Sequence, residues 1–241
     1  MKKTINGYLF NRIEKMGNEE YNHIGCEGED DSFSNFLASF VPKIGARRKV
    51  KFTVETLDPT KPKANNGGEL KAVETDIKNC RKCPEFNIKS PYISLAGQGN
   101  PDARLMFVAQ SPCELCAVRQ KVFYKGSGEI FDMCLREINE KRSSVFITNV
   151  CKCHTPNNRP NNKAEIDNCR HFLEKEIEII NPKIIIALGK QAKDWFGITD
   201  WNKFEDWQGR VVYALAHPAF IMRNPGMKGE YFKAWDALKK Q

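Results

Sequence analysis

The chain has 241 residues, of which 41% are hydrophobic, and this is enough for one or two domains with a buried core. A net charge of +8 and an isoelectric point near 9.0 suit a polyanionic partner such as nucleic acid, although many basic proteins bind none. No apolar run is long enough to span a bilayer, and residues 1–16 lack the long apolar stretch of a signal peptide. We therefore expect a cytoplasmic protein that is not secreted and has no membrane partner.

Residues 1–70 show no regular hydrophobic pattern. An acidic segment at 26–33 and a basic segment at 43–52 precede a stretch at 59–70 whose Pro, Lys, Asn and Gly content is typical of a linker or exposed loop. We predict an accessory or poorly ordered N-terminal region over 1–70 and a main domain over 71–241.

Four apolar segments separated by helical patterns follow in the main domain. Each segment is short and continuous, as expected of a buried strand, and they lie at 103–110, 144–150, 183–189 and 210–218. Helical periodicity is clearest at 128–140 and 162–180, and the second of these begins with Asn162 and Glu165 at the spacing of a capping box. Strands alternating with helices predict an α/β fold, with three α/β/α layers around a central, mainly parallel four-stranded sheet.

Polar residues follow these strands at the positions where each strand ends. Gln110 and Ser111 follow the first strand, Asn149 ends the second, and His217 follows the fourth. Ligands of parallel α/β sheets bind beyond the carboxyl ends of the strands. These residues are therefore the first candidates for a functional site.

Nine cysteines in a reducing compartment need an explanation other than disulfides. Cys80 and Cys83 form a C-x-x-C pair, and Cys153 lies at a strand end, with fifteen residues between it and Cys169 in the next helix. If they converge, four thiolates suit an iron–sulfur cluster or zinc, and the spacing does not separate the two. Cys169 lies on the apolar face of its helix, so a place in the core is its alternative. We interpret the remaining cysteines mostly as packing residues; they are Cys26, Cys113, Cys116, Cys134 and Cys151.

With this arrangement of cysteines, the sequence resembles the family 4 uracil-DNA glycosylases, which carry a [4Fe–4S] cluster. The resemblance covers roughly residues 76–241, and its cysteines correspond to Cys80, Cys83, Cys153 within NVCKC, and Cys169. Four further segments match in order: AGQGNPDARLMFVAQSP at 96–112, VFYKGSG at 122–128, KIIIALGKQA at 183–192 and HPAFIMRNP at 217–225. One such motif is weak evidence, but this set in the right order is specific.

The resemblance implies a DNA glycosylase of base-excision repair that flips uracil, or a related pyrimidine, out of DNA and hydrolyses its glycosidic bond. Phe123 would stack on the base, Asn149 would read the pyrimidine edge, and His217 would donate to the uracil oxygen as negative charge develops. The alternatives from the residues themselves are a core Phe, a turn Asn and a structural His before a proline. Arg223, within the segment 219–225 that would press on the duplex, would contact a phosphate, and its alternative is a solvated surface charge.

The resemblance also implies partners and cofactors. The partner would be uracil-containing DNA, single- or double-stranded, so the protein would be nucleoid-associated and, as we assume, monomeric. The [4Fe–4S] cluster, with zinc as the alternative, would be held by the four matching cysteines and would be structural, anchoring the loops that face DNA.

The first catalytic motif departs from the family pattern. The family usually has G-E-x-P-G, whereas this chain has Ala109, Gln110, Ser111 and Pro112, so that Gln110 stands where the Glu is expected. Ala109 and Ser111 would line the base pocket, and Gln110 would take the catalytic position, but glutamine is neutral and cannot act as a base. Three hypotheses follow: hydrolysis survives because it depends more on stabilising the leaving group, the pocket accepts a different base, or the chain is a non-catalytic DNA-binding or uracil-binding protein.

Some family relatives bond covalently to the abasic sugar through a histidine in the loop after this motif. Residues 118–128 contain no histidine, which argues against that variant.

Overall fold

The computed structural model describes residues 65–240 and, as backbone, two strands near the start of the chain. The two strands, β1 (Gly7–Met16) and β2 (Glu19–Gly28), pair antiparallel, with Gly7 opposite Gly28. They belong to one compact unit, Met1–Thr60, and the second unit is Lys61–Gln241. The strands fall where the sequence predicted no regular element. The basic segment at 43–52 lies outside the described residues, and the accessory role of residues 1–70 stays a prediction.

The second unit contains six strands and eight α-helices among its described residues. The strands are β3 (Gln98–Gly99), β4 (Leu105–Ala109), β5 (Phe146–Asn149), β6 (Ile184–Leu188), β7 (Phe204–Trp207) and β8 (Arg210–Leu215). The helices are α1 (Asn66–Asn79), α2 (Pro84–Asn87), α3 (Glu114–Arg119), α4 (Ser127–Glu137), α5 (Lys163–Ile180), α6 (Lys190–Trp195), α7 (Ala219–Arg223) and α8 (Lys228–Asp236). Short 3-10 turns lie at Pro156–Asn158, Pro225–Met227 and Ala237–Lys240.

The sheet has the strand order β3-β5-β4-β6-β8-β7. The four inner strands are parallel to one another, and they are the four strands that the sequence predicts. The edge strands β3 and β7 pair antiparallel with their neighbours and were not predicted. Two-residue β3 is too short to leave a hydrophobic pattern, and β7 has only partly buried or exposed residues. The predicted α/β fold is confirmed, with a mixed six-stranded sheet instead of a four-stranded one.

Helices cover both faces of the sheet, as the three-layer prediction requires. Alternate residues of β4 point in opposite directions, so Leu105 and Phe107 join one core and Met106 and Val108 join the other. The first core is closed by α4 and α8, which contribute Phe131, Leu135, Tyr231 and Trp235. The second core is closed by α5 and α6, which contribute Leu173, Ile177, Ala192 and Trp195.

The helix α5 begins where the sequence predicts. The Asn162 side chain accepts a hydrogen bond from the Glu165 N–H at 2.9 Å, and the Glu165 carboxylate accepts one from the Asn162 N–H, also at 2.9 Å. This capping box satisfies two N–H groups that a helix start leaves free. No helix in the described part of the chain has the length and apolar character needed to cross a membrane.

Candidate active site

The carboxyl ends of the four parallel strands form one edge of the sheet, and the predicted polar residues lie along it. Ala109 pairs with Asn149 across β4 and β5, and Leu188 pairs with Leu215 across β6 and β8. His217 follows β8 by two residues and lies next to Gly189, at the end of β6. A Cβ placed on Gly189 would lie only 3.2 Å from the His217 Cβ, so a side chain at 189 would compete with the imidazole for space.

His217 has its tautomer set by the backbone. Its Nδ1 atom lies 3.1 Å from the Ala219 N, whose N–H it must accept. The neutral ring therefore carries its proton on Nε2, which is left as a donor. Burial of the ring lowers the pKa of His217 to about 4, and the positive charge of Arg223 adds to the shift. At neutral pH this residue is an uncharged hydrogen-bond donor and not an acid.

Phe123 packs directly against His217. Their rings stack with centroids 5.3 Å apart, and Phe123 also stacks on Phe131 with centroids 4.6 Å apart. Phe131 and His217 do not contact each other, so they lie on opposite faces of the Phe123 ring. In this conformation a base can stack on Phe123 only if His217 moves off that face.

The Phe123 backbone is held in an unusual conformation. Its φ angle is 50°, which is strained for a phenylalanine, and the Arg142 guanidinium donates to its carbonyl oxygen at 2.8 Å. A Cβ on Gly128 would lie 1.8 Å from the same carbonyl oxygen, so only glycine fits there. These contacts specify where the ring lies.

Asn149 presents an amide without a hydrogen-bond partner in residues 65–240. The residue is 6% exposed, and its side-chain amide is not fully enclosed. Its backbone is fixed from behind, because the Lys152 ammonium donates to the Asn149 carbonyl at 2.8 Å and to Thr148 Oγ1 at 2.8 Å. The strand end therefore combines a rigid backbone with an amide free to pair with a base edge.

Lys152 forms an ion pair with a buried carboxylate. Its Nζ lies 2.7 Å from Glu176 Oε2, and both side chains are 1% exposed. Glu176 also accepts from Thr148 Oγ1 at 2.7 Å and from the Gly97 N–H at 2.9 Å. The sequence pattern did not predict this pair; its signal is a glutamate on the apolar face of α5, between Leu173 and Ile177.

The residues of the first motif take different places. Ala109 is buried, and its backbone carbonyl accepts a hydrogen bond from the Val150 N–H at 2.8 Å. Gln110 is half-buried, and its side chain donates to the Arg159 carbonyl at 3.2 Å, which ties the first motif to the loop after β5. Ser111 is partly exposed beside it, and Arg223 is exposed at the end of α7. The structure brings Phe123, Arg223 and His217 together, while no contact joins His217 to Asn149 or Gln110 in the described residues.

The four predicted ligand cysteines lie in one region of the structure. Cys83 and Cys153 pack together with Phe86 in a small buried cluster, and the Asn168 amide lies 3.5 Å from Cys83 Sγ. Burial raises the pKa of Cys153 to about 12, with further contributions from the charges of Cys169, Cys83 and Cys80. All four thiols are thus within electrostatic reach of one another.

The spacing of these thiols bears on what they could hold. Within residues 65–240, no three His, Cys, Asp or Glu side chains are close enough together to hold one metal ion. A four-iron cluster is larger than a single ion, so its ligands stand farther apart. Whether the four thiols hold an iron–sulfur cluster or zinc therefore stays a prediction.

Comparison with known proteins identifies the family of this chain. Residues 96–239 match the family described as the uracil DNA glycosylase superfamily. The chain belongs to that superfamily. A type-4 uracil-DNA glycosylase from Archaeoglobus fulgidus is 31% identical over 176 residues, which cover 67% of this chain and 87% of the relative.

Two further relatives carry the same name. The type-4 uracil-DNA glycosylase of Thermotoga maritima is 34% identical over 165 residues, covering 64% of this chain and 84% of the relative. That of Sulfurisphaera tokodaii is 29% identical over 174 residues, covering 66% of this chain and 78% of the relative. The resemblance to family 4 is therefore confirmed, and this superfamily member groups with the type-4 enzymes.

Proposed function

We propose that this protein is a DNA glycosylase of base-excision repair that removes uracil from DNA by hydrolysing the N-glycosidic bond. The observation that carries the proposal is the fixed neutral tautomer of His217, in a chain of this superfamily. The Ala219 N–H occupies Nδ1, so the Nε2–H is available at the carboxyl edge of the sheet. A hydrogen-bond donor with a fixed tautomer at this edge can stabilise negative charge where it develops in the transition state.

The reaction needs the base outside the duplex. Unstacking and unpairing a base costs a few kcal/mol, which contacts in the pocket offset. We assign to the Asn149 amide the reading of the pyrimidine edge, since one amide offers both a donor and an acceptor. As the base enters, His217 leaves the face of Phe123, and the base stacks on that face in its place.

Bond breaking separates charge between the sugar and the leaving base. The sugar becomes positively charged and the uracil oxygen negatively charged, and His217 Nε2–H donates to that oxygen. A donor of this type is worth about 3–4 kcal/mol of barrier, or roughly a hundredfold to a thousandfold in rate. Because the sugar cation is very reactive, a water oriented by the neutral Gln110 amide suffices for the second step.

A base-release assay tests this proposal. Anaerobically purified protein is incubated with an oligonucleotide containing one uracil, in single-stranded and in double-stranded form, and abasic sites are cleaved with alkali. We expect release by the native chain, a loss of at least about 100-fold in His217→Ala, and little change in DNA affinity. In Gln110→Glu the carboxylate of the family pattern is restored, and its rate of uracil release is compared with that of the native chain.

The alternatives predict different results in the same assay. Release from an oligonucleotide with another deaminated base, but not from uracil, would support the altered-pocket hypothesis. DNA binding without release of any base would support the non-catalytic protein and would overturn the enzyme assignment.

We further propose that Cys80, Cys83, Cys153 and Cys169 hold a [4Fe–4S] cluster, with zinc as the alternative. The role is structural: His154, next to Cys153, lies 3.1 Å from the Pro112 carbonyl, so the cysteine loop supports the first motif. Iron and sulfide analysis with visible absorbance tests this. Cys153→Ser should lose the colour, whereas the matched control Cys134→Ala, on the opposite core, should keep it. A colourless protein with one zinc ion would contradict the cluster.

Three finer assignments complete the proposal. We infer that the protein acts as a monomer, that it associates with the nucleoid in the cytoplasm, and that Arg223 contacts a DNA phosphate. The exposure of Arg223 beside His217 supports the last point. Size-exclusion chromatography with and without DNA measures the first, and competition between single- and double-stranded oligonucleotides measures the preferred substrate.

A further inference from the structure

A second pair of cysteines lies beside the pocket, separate from the four proposed cluster ligands. Cys113 caps α3 with its sulfur, which accepts the Cys116 N–H at 3.3 Å. The Cys113 thiol in turn points at Cys116 Sγ, with the two sulfurs 2.8 Å apart. A disulfide bond is about 2.05 Å long, so a movement of less than about 1 Å would join them.

Cys116 also contacts the segment that carries the proposed stacking residue. The Tyr124 N–H donates to Cys116 Sγ at 3.4 Å, and the neighbouring Phe123 backbone also lowers the pKa of Cys116. The Cys113 thiol and these amides lower the pKa of Cys116 to about 6 and favour its thiolate, while the pKa of Cys113 is raised. The pair therefore has the arrangement of a reactive dithiol, with Cys116 favoured as the thiolate and Cys113 as its hydrogen-bond donor.

We propose that Cys113 and Cys116 are a reversible redox pair that a hydroperoxide oxidises to a disulfide, and that this oxidation displaces the segment carrying Phe123. A hydroperoxide suits the site because Cys116 is only 6% exposed, which excludes bulky oxidants. Disulfides in reducing compartments, where they occur, are usually transient and redox-sensing.

The chemistry balances in two steps. The Cys116 thiolate attacks one oxygen of hydrogen peroxide; an S–O bond forms, the O–O bond breaks, and the hydroxide released takes up a proton to become water. The Cys113 thiol then gives up its proton and attacks the Cys116 sulfur, forming the S–S bond as the S–O bond breaks and a second water leaves. The dithiol is oxidised by two electrons, and one peroxide is reduced to two waters. An added dithiol such as dithiothreitol reverses the oxidation by exchange.

The disulfide would alter the pocket through Phe123. Oxidation removes the negative charge from Cys116 Sγ and draws that sulfur toward Cys113, so the Tyr124 N–H, next to Phe123, loses its thiolate acceptor. Phe123 already has a strained φ of 50°, and the lost contact favours a different backbone conformation. Any effect on base release rests on the proposed function, whereas disulfide formation does not.

Peptide mapping of the full-length protein tests the redox site. Trypsin yields residues 105–119, which contain Cys113 and Cys116 alone, and residues 126–136, which contain only Cys134. After brief anaerobic treatment with stoichiometric hydrogen peroxide and alkylation under denaturing conditions, we expect 105–119 to be unalkylated and two hydrogens lighter. Residues 126–136 should stay alkylated, because burial raises the pKa of Cys134 to about 12. Full alkylation of both peptides would overturn the proposal.

A second measurement tests the coupling to the pocket. Oxidation should speed amide hydrogen exchange in residues 121–128 by about tenfold or more, and dithiothreitol should reverse this. Uracil release should fall at least about fivefold on oxidation in the native chain, and not in the double variant Cys113→Ser/Cys116→Ser. Visible absorbance monitors any bound cluster in both proteins. A disulfide that leaves hydrogen exchange unchanged would refute the coupling even if no form releases a base.

Discussion

Lys152 and Glu176 form an ion pair with 2.7 Å between Nζ and Oε2, sealed from solvent beneath the end of β5. The pair joins the strand that presents Asn149 to the helix α5 that carries Cys169. Burying an ion pair costs desolvation free energy, and removing one of its partners is strongly destabilising because the other charge stays buried and unpaired. It therefore ties the proposed base reader and one proposed cluster ligand to the same rigid unit.

Breaking this ion pair should destabilise the protein strongly. Lys152→Met leaves the Glu176 carboxylate buried without a counter-charge, and we expect a loss of about 3–5 kcal/mol of unfolding free energy. The double variant Lys152→Met/Glu176→Gln should recover a large part of that loss, because the amide oxygen can still accept from Gly97. Urea denaturation measures both. A single variant as stable as the native chain would show that the pair does not hold the strand end.

Adding a methyl group at Gly128 should displace Phe123. The Cβ of Gly128→Ala would lie 1.8 Å from the Phe123 carbonyl oxygen, so the backbone must shift, and we expect a loss of about 1–3 kcal/mol of stability. Uracil release should fall with it. Gly229→Ala is the matched control, because nothing lies within 4 Å of its added Cβ and alanine favours the helix. Equal effects in the two variants would contradict a specific role for Gly128.

His217 should make stability depend on pH in a defined window. The unfolded ring titrates near 6.5 and the folded ring at about 4, so the unfolded state binds more protons between these values. Stability should therefore fall as pH drops from 6.5 to 4, by up to about 3 kcal/mol, and this contribution should be flat above and below the window. Comparison of urea midpoints for the native chain and His217→Gln isolates the effect. Identical pH profiles would show that His217 is not buried as a neutral ring.

The charge of Arg223 should contribute to DNA binding and to the pKa of His217. Arg223→Gln removes one phosphate contact, so the slope of log K against log salt should fall by about one. The same change should raise the pKa of His217, since the positive charge lowers it. Arg223→Lys keeps the charge and should preserve both properties. Fluorescence anisotropy over a salt series and NMR titration of the imidazole measure them; an unchanged salt slope would place Arg223 outside the DNA contact.

Much of the fold could be read from local patterns. The four parallel strands are short apolar runs, and the start of α5 is a capping box formed by residues three apart, so both leave a signature within a few neighbouring positions. The edge strands β3 and β7 were missed because neither presents a buried, alternating face. The sheet edge on which the candidate site residues lie also follows from strand ends, whereas their order along that edge depends on the strand order, which the sequence pattern does not give.

The sequence by itself determined the α/β class, the superfamily and the residues to examine at the strand ends. Only the tertiary structure decided how those residues are held. The tautomer of His217, the two covered faces of Phe123 and the ion pair between Lys152 and Glu176 all arise from packing between strands, loops and helices distant along the chain. Such contacts depend on which elements meet in space, and a local pattern carries no record of its partner. The close approach of Cys113 and Cys116 is the intermediate case, since the C-x-x-C spacing is visible in the sequence but the Tyr124 N–H that contacts Cys116 is not.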